Sequence, residues 1–554
     1  MQNKHDLSSN YPEQKYTIVG AGILGYISVY HLWQKSVQQG KQIRVTLQEK
    51  NHSLADTTTS NIFPSLTIDE IMSVVPPAPE LLSKLRTSFN LPGGIRIEDV
   101  NGVMDSKVYH EFLHAVEKYG INVDEHLKRV EVLYSLGVMS MNAWQEMFDT
   151  ADEELKDIML KSNFQPCKES LKKDRPELHD GYRIDLIYNV ASANPSVNNA
   201  LNKANSMKSE YKRLGYNHCE ILSPAEVLRR DPHLADFCNE HSVENDEGNR
   251  VWKNTASAIW RPGGCIDTNR FLPLLHGYLT EKMGTYTNAN GKIKNCFRAH
   301  YERNVQSLTF DSSNQTERKI TGMKFFNKGE VKSDNHAYAQ SNYLFCPGEN
   351  VGTLKSLGLA EPEYTRFAGA SLTLVIDIPA SMLESVKDYN HCMEVHQEGV
   401  VLAWQGRVID GKLSIGVAGT KAFYADKEPQ ITEAFAKDRN LLQLNMINDV
   451  LPQFISLALG RDTKGQKLTA QDMQILVDAG IAKRWVGSRA VAFDGFPTIG
   501  KVAANGQTIT HAGSGGVSFA HALVKTLFKC VKTNEEKLAK DTLLYADPNR
   551  TFRN

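Results

Sequence analysis

The sequence predicts an α/β fold that opens with a βαβ unit. Three observations carry that expectation. The β-branched run Tyr16-Thr17-Ile18-Val19 passes straight into a glycine turn, after which Ile27, Tyr30 and Leu32 fall at helical spacing. A second strand follows, with Ile43, Val45 and Leu47 alternating with polar residues up to Glu49. Much later, residues 400–404 and 413–417 alternate apolar and polar side chains, which predicts an antiparallel sheet.

Each part of the opening unit has a physical role. In Gly20-Ala21-Gly22-Ile23-Leu24-Gly25, Gly20 permits the tight turn and Gly22 lets the backbone approach a diphosphate. Gly25 allows the helix to pack close to the strand. The helix start offers unpaired N–H groups and its positive dipole end to phosphate oxygens. Gln39-Gly40 closes the helix. Glu49 lies about 24 residues past Gly25, near the ~20 at which a carboxylate accepts ribose hydroxyls. An acid there, with no arginine beside it, disfavours a 2′-phosphate and hence NADP. These residues point to dinucleotide binding.

The hydroxyl-rich Asp56-Thr57-Thr58-Thr59-Ser60-Asn61 follows the second strand. Read alone it is a surface turn or a set of hydrogen-bond donors for a cofactor's diphosphate and ribityl chain.

At 554 residues the chain exceeds one hydrophobic core, so at least two domains are expected. A hydrophobic fraction of 41% with 23% charged residues argues against wholesale disorder. Basic and acidic residues number 63 and 64, which gives no electrostatic reason to expect nucleic acid as a partner. The eight cysteines are scattered without a Cys-x-x-Cys pair, so neither a disulfide framework nor a metal site is expected. His233, Cys238 and His241 lie close together, but in a polar stretch running to Arg250 that reads as a solvated loop. Residues 1–15 lack the apolar core of a signal peptide, and no apolar run is long enough to span a bilayer. The expected location is cytoplasmic, with peripheral contact at the inner face of a membrane left open.

The other end of the chain sharpens the reading. Trp485-Val486-Gly487-Ser488-Arg489-Ala490 runs into Phe493-Asp494-Gly495-Phe496-Pro497-Thr498-Ile499-Gly500. A second glycine loop, Gly513-Ser514-Gly515-Gly516, precedes a helix starting near Phe519. These segments resemble the C-terminal signature of the D-amino-acid-oxidase-type FAD-dependent oxidoreductases, in particular the glycine oxidase and D-amino-acid dehydrogenase branch. Weaker matches fall at Ile221-Leu222-Ser223-Pro224-Ala225-Glu226, at Gly263-Gly264 with Asp267, at Tyr343-Leu344-Phe345-Cys346-Pro347-Gly348 and at Gly411-Lys412-Leu413-Ser414-Ile415-Gly416. The helical region of about residues 67–210 matches poorly. The chain also departs from the pattern at Ala490, Ser514 and Cys346, where the family has proline, histidine and alanine.

The resemblance implies a Rossmann-like FAD-binding domain built from residues 14–66, 262–350 and 484–540. It would be interleaved with a substrate domain, antiparallel sheet plus helices, from residues 67–261 and 351–483. FAD would contact Gly20, Gly22, Ile23, Leu24, Gly25 and Glu49. It would also contact Thr57, Thr58, Ser60, Gly348, Gly513, Ser514, Gly515, Gly516, Val517 and Ser518. Val305 matches a position whose backbone meets the adenine, and reads equally as core. Arg489 matches the arginine that pairs with a substrate carboxylate; the residues alone leave open a structural acid as its partner. The implied reaction is hydride transfer from an amino acid's C–N unit (a D-amino acid or N-substituted glycine) to flavin N5. The imine product hydrolyses to a 2-oxo acid, and oxygen or a quinone re-oxidises the flavin. No side chain is assigned as an acid or base. A 2-hydroxy acid or polyol as substrate, or flavin binding without turnover, are the alternatives.

Overall fold

The computed structural model describes residues 13–66, 96–97, 107, 110–111, 114, 123–166, 181–190, 199–213, 216, 218–287, 293–311, 318–327, 330–334, 341–350, 352–387, 389–397, 400–424, 433–510 and 516–550. The strand Gln14–Val19 and the strand Ile43–Gln48 pair in parallel across the helix Ile23–Gln39, as the alternation predicts. That helix ends where Gly40 takes a left-handed φ of 61° and its N–H reaches the carbonyls of Ser36 and Val37. Ile27, Val29, Tyr26 and Leu32 are all buried, so packing on both sides rather than propensity holds it.

Four further strands complete a six-stranded sheet. Phe297–His300 adds in parallel outside Ile43–Gln48, and Ser341–Phe345 adds in parallel on the other side of Gln14–Val19. Gly506–Thr510 and its antiparallel partner Thr498–Ala503 close the far edge. Segments from both ends and the middle of the chain therefore share one Rossmann-like sheet.

A second, larger sheet carries Ala482–Ala492, Tyr364–Asp377, Lys412–Tyr424, Val400–Ile409, Asn390–Gln397, Tyr182–Ile187, Ser257–Pro262 and Glu220–Leu222 in that order. Asp410 and Gly411, with φ of 51° and 74°, turn one of its hairpins; two residues at positive φ match the strand twist. Residues 484–492, placed by the sequence with the first domain, lie on an edge strand of this second sheet. One face packs Leu372, Leu402, Trp404, Ile415 and Met393 against the helices Glu433–Val450, Pro452–Leu459 and Ala470–Asp478. The opposite face looks toward the first sheet.

The described residues within 67–210 are only partly helical. The long helix Val123–Thr150 lies there, but so does the strand Tyr182–Ile187 of the large sheet. The solvated loop expected around His233, Cys238 and His241 is instead ordered. Asp231 caps His233 N–H at 3.1 Å, and the helix Ala235–His241 buries Phe237, Cys238 and His241. Leu234, Phe237 and Cys238 fall at helical spacing among the polar residues, and they turn that face inward. Burial pushes the Cys238 thiol up to about 12 and His241 down to about 4. Among the described residues no helix is long and apolar enough to cross a membrane.

Behind the large sheet, Tyr188 Oη donates to Asp449 Oδ2 at 3.0 Å. Burial raises Asp449 to about 6; the tyrosine opposes that shift and Glu240 adds to it. Its folded pKa exceeds the ordinary carboxylate value, so the native state is stabilised by protonation as pH falls from about 6 toward 4, and stability is lost as pH rises. Asp449→Asn is expected to raise the melting temperature at pH 8, by no more than about 3 kcal/mol of stability, with the gain shrinking toward pH 4. Thermal melts across that range check this; a pH-independent difference would exclude the carboxyl as its source.

Candidate functional site

The glycine turn closes as tightly as its residues allow. A Cβ on Gly25 would overlap the Gly20 carbonyl oxygen, and one on Gly20, at φ 109°, would overlap the carbonyl of Cys346. Cys346 N–H in turn donates to Val19 O at 2.7 Å, so the strand-end at residues 346–348 lies directly over the turn. Gly348, at φ 58°, then reverses the chain.

Glu49 is buried at the end of its strand. Its Oε2 accepts Ala21 N–H at 2.8 Å and its Oε1 accepts Asn51 N–H at 2.9 Å. The carboxylate thus ties the glycine turn to the end of the second strand. A carboxylate offers about four acceptor sites, so two backbone bonds leave capacity for a pair of ribose hydroxyls.

The hydroxyl cluster divides into two roles. Thr57 and Ser60 bond to each other at 3.1 Å, Thr57 Oγ1 donates to Leu54 O, and both side chains are buried. They shape the loop rather than face outward. Thr59, which the sequence reading passed over, is the one that reaches the turn: its Oγ1 accepts Ile23 N–H at 3.3 Å and sits 3.1 Å from where a Gly22 Cβ would be. The signal that could have found it is alternation within the turn, since Thr57 caps its short helix and turns inward. Thr58 is placed beside it only through its backbone, in the short helix Thr58–Asn61.

Val305 packs in a separate apolar cluster with Ile320, Met323, Phe325 and Tyr343. Arg303 N–H, two residues earlier, donates to Glu49 O at 2.7 Å, so this strand starts beside the acid. Gly513, Ser514 and Gly515 lie outside the described residues. Gly516, Val517 and Ser518 lead into the helix Ala520–Leu527. The long helix Val123–Thr150 clasps this end. Trp144 Nε1 donates to Val517 O at 3.3 Å, and Ser140 Oγ accepts Ala522 N–H at 3.3 Å. His521 bonds to His31 at 2.9 Å, and burial drives His31 down to about 3, so neither ring is charged at neutral pH.

Arg489 stands on the face of the large sheet that looks toward the glycine turn. Its guanidinium lies over Gly369, where a Cβ would come within 3.2 Å of Nε, and the Trp485 indole lies over Gly487. On the same face Ser371 Oγ donates to Asn61 O at 2.9 Å, and Phe63 rests on Gly416. From Trp485 the register runs through Ser371, Ala418 and Ala403 to Glu394. The floor between Trp485 and Glu394 is therefore made of small side chains.

At the far end of that floor sits a buried charged ring that sequence reasoning missed. Arg183 pairs with Asp185 at 2.8 Å and with Glu394 at 2.9 Å. Arg261 pairs with Glu394 at 2.8 Å, with Asp185, and with Tyr211 Oη. Burial alone would raise Glu394, but the two guanidinium groups hold it well below the usual carboxylate range. Asp185, Glu394 and His396 are near enough to one another to hold a metal ion. Both carboxylates already face two arginines, whose charge repels a cation. The sequence signal was present: Arg183, Asp185, Glu394 and His396 alternate with apolar residues in strands, with the charges on the inward positions.

No protein-family model and no curated protein matches the sequence. Solved structures follow nearly the whole chain. Glycine oxidase from Geobacillus kaustophilus is 12% identical, covering 94% of this chain and 96% of its own at a TM-score of 0.47. L-proline dehydrogenase from P. horikoshii is 12% identical over 98% of each chain, with a TM-score of 0.48. L-amino acid deaminase from Proteus vulgaris is 13% identical over 95% of each, with a TM-score of 0.44.

The turn makes a direct test of this geometry possible. Gly25→Ala forces a methyl against backbone, and is expected to cost about 2–3 kcal/mol, whereas Gly40→Asn, at an open left-handed position, costs far less. Equilibrium denaturation of both variants measures the contrast; equal losses would mean that the turn is not close-packed.

Proposed function

We propose that the protein is an FAD-dependent oxidoreductase that oxidises the C–N bond of an amino acid, a D-amino acid or an N-substituted glycine. The observation that carries the reading is the glycine turn tied to Glu49 at 2.8 Å through Ala21 N–H, a cradle in which Gly20 and Gly25 have no room for a side chain. These residues fit a dinucleotide: the turn at residues 20–25 would hold the diphosphate, with Thr59 beside it, and Glu49 would hold the adenosine ribose. The turn at residues 516–518 would approach the flavin ring. When bound, FAD supplies a hydride acceptor that no protein side chain provides.

The chain's own part is binding and orientation. Arg489 presents a planar fork that stays charged and donates two parallel hydrogen bonds to a carboxylate. Gly369 beneath it fixes where the guanidinium lies. A substrate held there by its carboxylate has its Cα–H direction restricted, which is the contribution that orientation makes to rate. Trp485 and Phe63, on the same sheet face, would line the space with apolar surface. Oxygen or a quinone would take the electrons afterwards.

Protein purified from a flavin-replete host is expected to be yellow, and stripped protein to take up FAD at micromolar concentration. Colourless protein that refuses added FAD would sink the proposal. Anaerobic mixing with a panel of D- and L-amino acids, N-methylglycine and 2-hydroxy acids then identifies the bond oxidised; bleaching by hydroxy acids alone would reassign it.

Arg489→Ala removes the partner of a desolvated carboxylate, a loss of about 3–5 kcal/mol. That corresponds to more than about a hundredfold in kcat/KM, with FAD content unchanged. A variant within about threefold of wild type would take Arg489 out of the site.

A further inference from the structure

The charged ring leaves one positive charge over. Arg183 and Arg261 are neutralised by Asp185 and Glu394. The helix Asn199–Arg213 packs Ala200 and Ala204 on Ile187, the register partner of His396, and its Lys203 adds an ammonium within electrostatic reach of Glu394, Arg261 and His396. Among the described residues it forms no hydrogen bond and no ion pair within 4 Å. Burial pulls it down to about 8, with Glu394 opposing the shift and Arg261 adding to it. His396 is only 6% exposed; its Nδ1 has no partner and its Nε2 lies 3.4 Å from Glu394. Charges withdrawn from water are ordinarily paired or ligated. A partly buried, unpaired ammonium near a buried imidazole nitrogen without a partner is an arrangement an anion would complete.

Access to this corner lies on the same sheet face as Arg489. His396 stands opposite Val401, which is 44% exposed, and Glu394 stands opposite Ala403. The strand carrying Gly369, under the Arg489 guanidinium, is three strands from the one carrying His396. At ~4.8 Å per strand the backbones are about 14 Å apart. Side chains reaching inward from both ends shorten that to the length of a small molecule with an acid at each end.

We propose that Lys203 and His396 form a second carboxylate site, which receives the distal acid of a dicarboxylic amino-acid substrate whose other carboxylate pairs with Arg489. The proposal rests on the functional reading above for the substrate's first carboxylate, and on the unpaired Lys203 for its second. It gives a substrate class: amino acids with a second carboxylate several bonds from the first, in preference to those with an apolar tail.

The test uses the full-length flavoprotein with Lys203→Met and Lys203→Arg. Without ligand, Lys203→Met is expected to melt slightly above wild type, because it removes an unpaired, partly buried charge. Glutarate should raise the melting temperature of wild type and of Lys203→Arg by several degrees, while butyrate, with one acid, should not. Lys203→Met should lose the glutarate shift. In turnover, 2-aminoadipate should exceed norleucine by at least about tenfold in kcat/KM, the equivalent of about 1.4 kcal/mol. In Lys203→Met that ratio should fall to near one through a raised KM. Failure of glutarate to shift wild type, or an equal shift in Lys203→Met, would overturn the site. If glutarate binds through Lys203 but no amino acid bleaches the flavin, the second carboxylate site stands and the proposed oxidation fails.

Discussion

The large sheet is fastened to the glycine-turn domain by side chains that donate to the backbone of the connecting segment. Gln405 is buried, and both N–H bonds of its amide are used, one to Pro64 O and one to Ile266 O, each at 3.1 Å. Ser371 adds the bond to Asn61 O. Residues 61–64 leave the hydroxyl-rich turn and cross the sheet on two of these bonds, to Asn61 O and Pro64 O, while the third holds Ile266, and these place Thr59 near the turn and Phe63 against Gly416. A buried amide with unmet donors costs about 1–3 kcal/mol each, which makes this attachment specific as well as strong. The candidate site lies where the two sheets are held at this joint.

The large sheet itself is held by two unlike means. On one face apolar side chains pack against three helices, and that core is ordinary burial. On the other, the parallel contact between Asn390–Gln397 and Tyr182–Ile187 is short, with register pairs only at Val395↔Leu186 and His396↔Ile187. The ring of Arg183, Asp185, Arg261 and Glu394 spans this seam and links the strands that few backbone bonds join. Buried ion pairs add little net stability, because desolvation offsets their attraction, but breaking one is costly. Here the ring ties together strands far apart in sequence.

The long helix Val123–Thr150 shows how a segment outside any recognisable motif acts on one. Arg129 pairs with Asp494 at 3.0 Å, where Arg550 also bonds, and Trp144 and Ser140 reach the end of the chain near residues 517–522. The Asp494 turn and the residues that follow the second glycine loop are thus braced by the region that resembled nothing.

From the sequence alone, the opening strand, glycine turn, helix and acid were legible, because local sterics dictate each: only glycine fits at residues 20 and 25, and strand alternation fixes where Glu49 ends. The antiparallel strands at residues 400–404 and 413–417 were legible from their alternation. Tertiary structure alone decided which hydroxyl faces the turn, Thr59 rather than Thr57 or Ser60, since that depends on which side of a short helix meets the glycines. It alone brought Arg183, Lys203, Arg261, Glu394 and His396 together from four separate elements. Charge on an inward strand position can be read locally, but the partner that makes it tolerable lies across a sheet whose strand order no local pattern records.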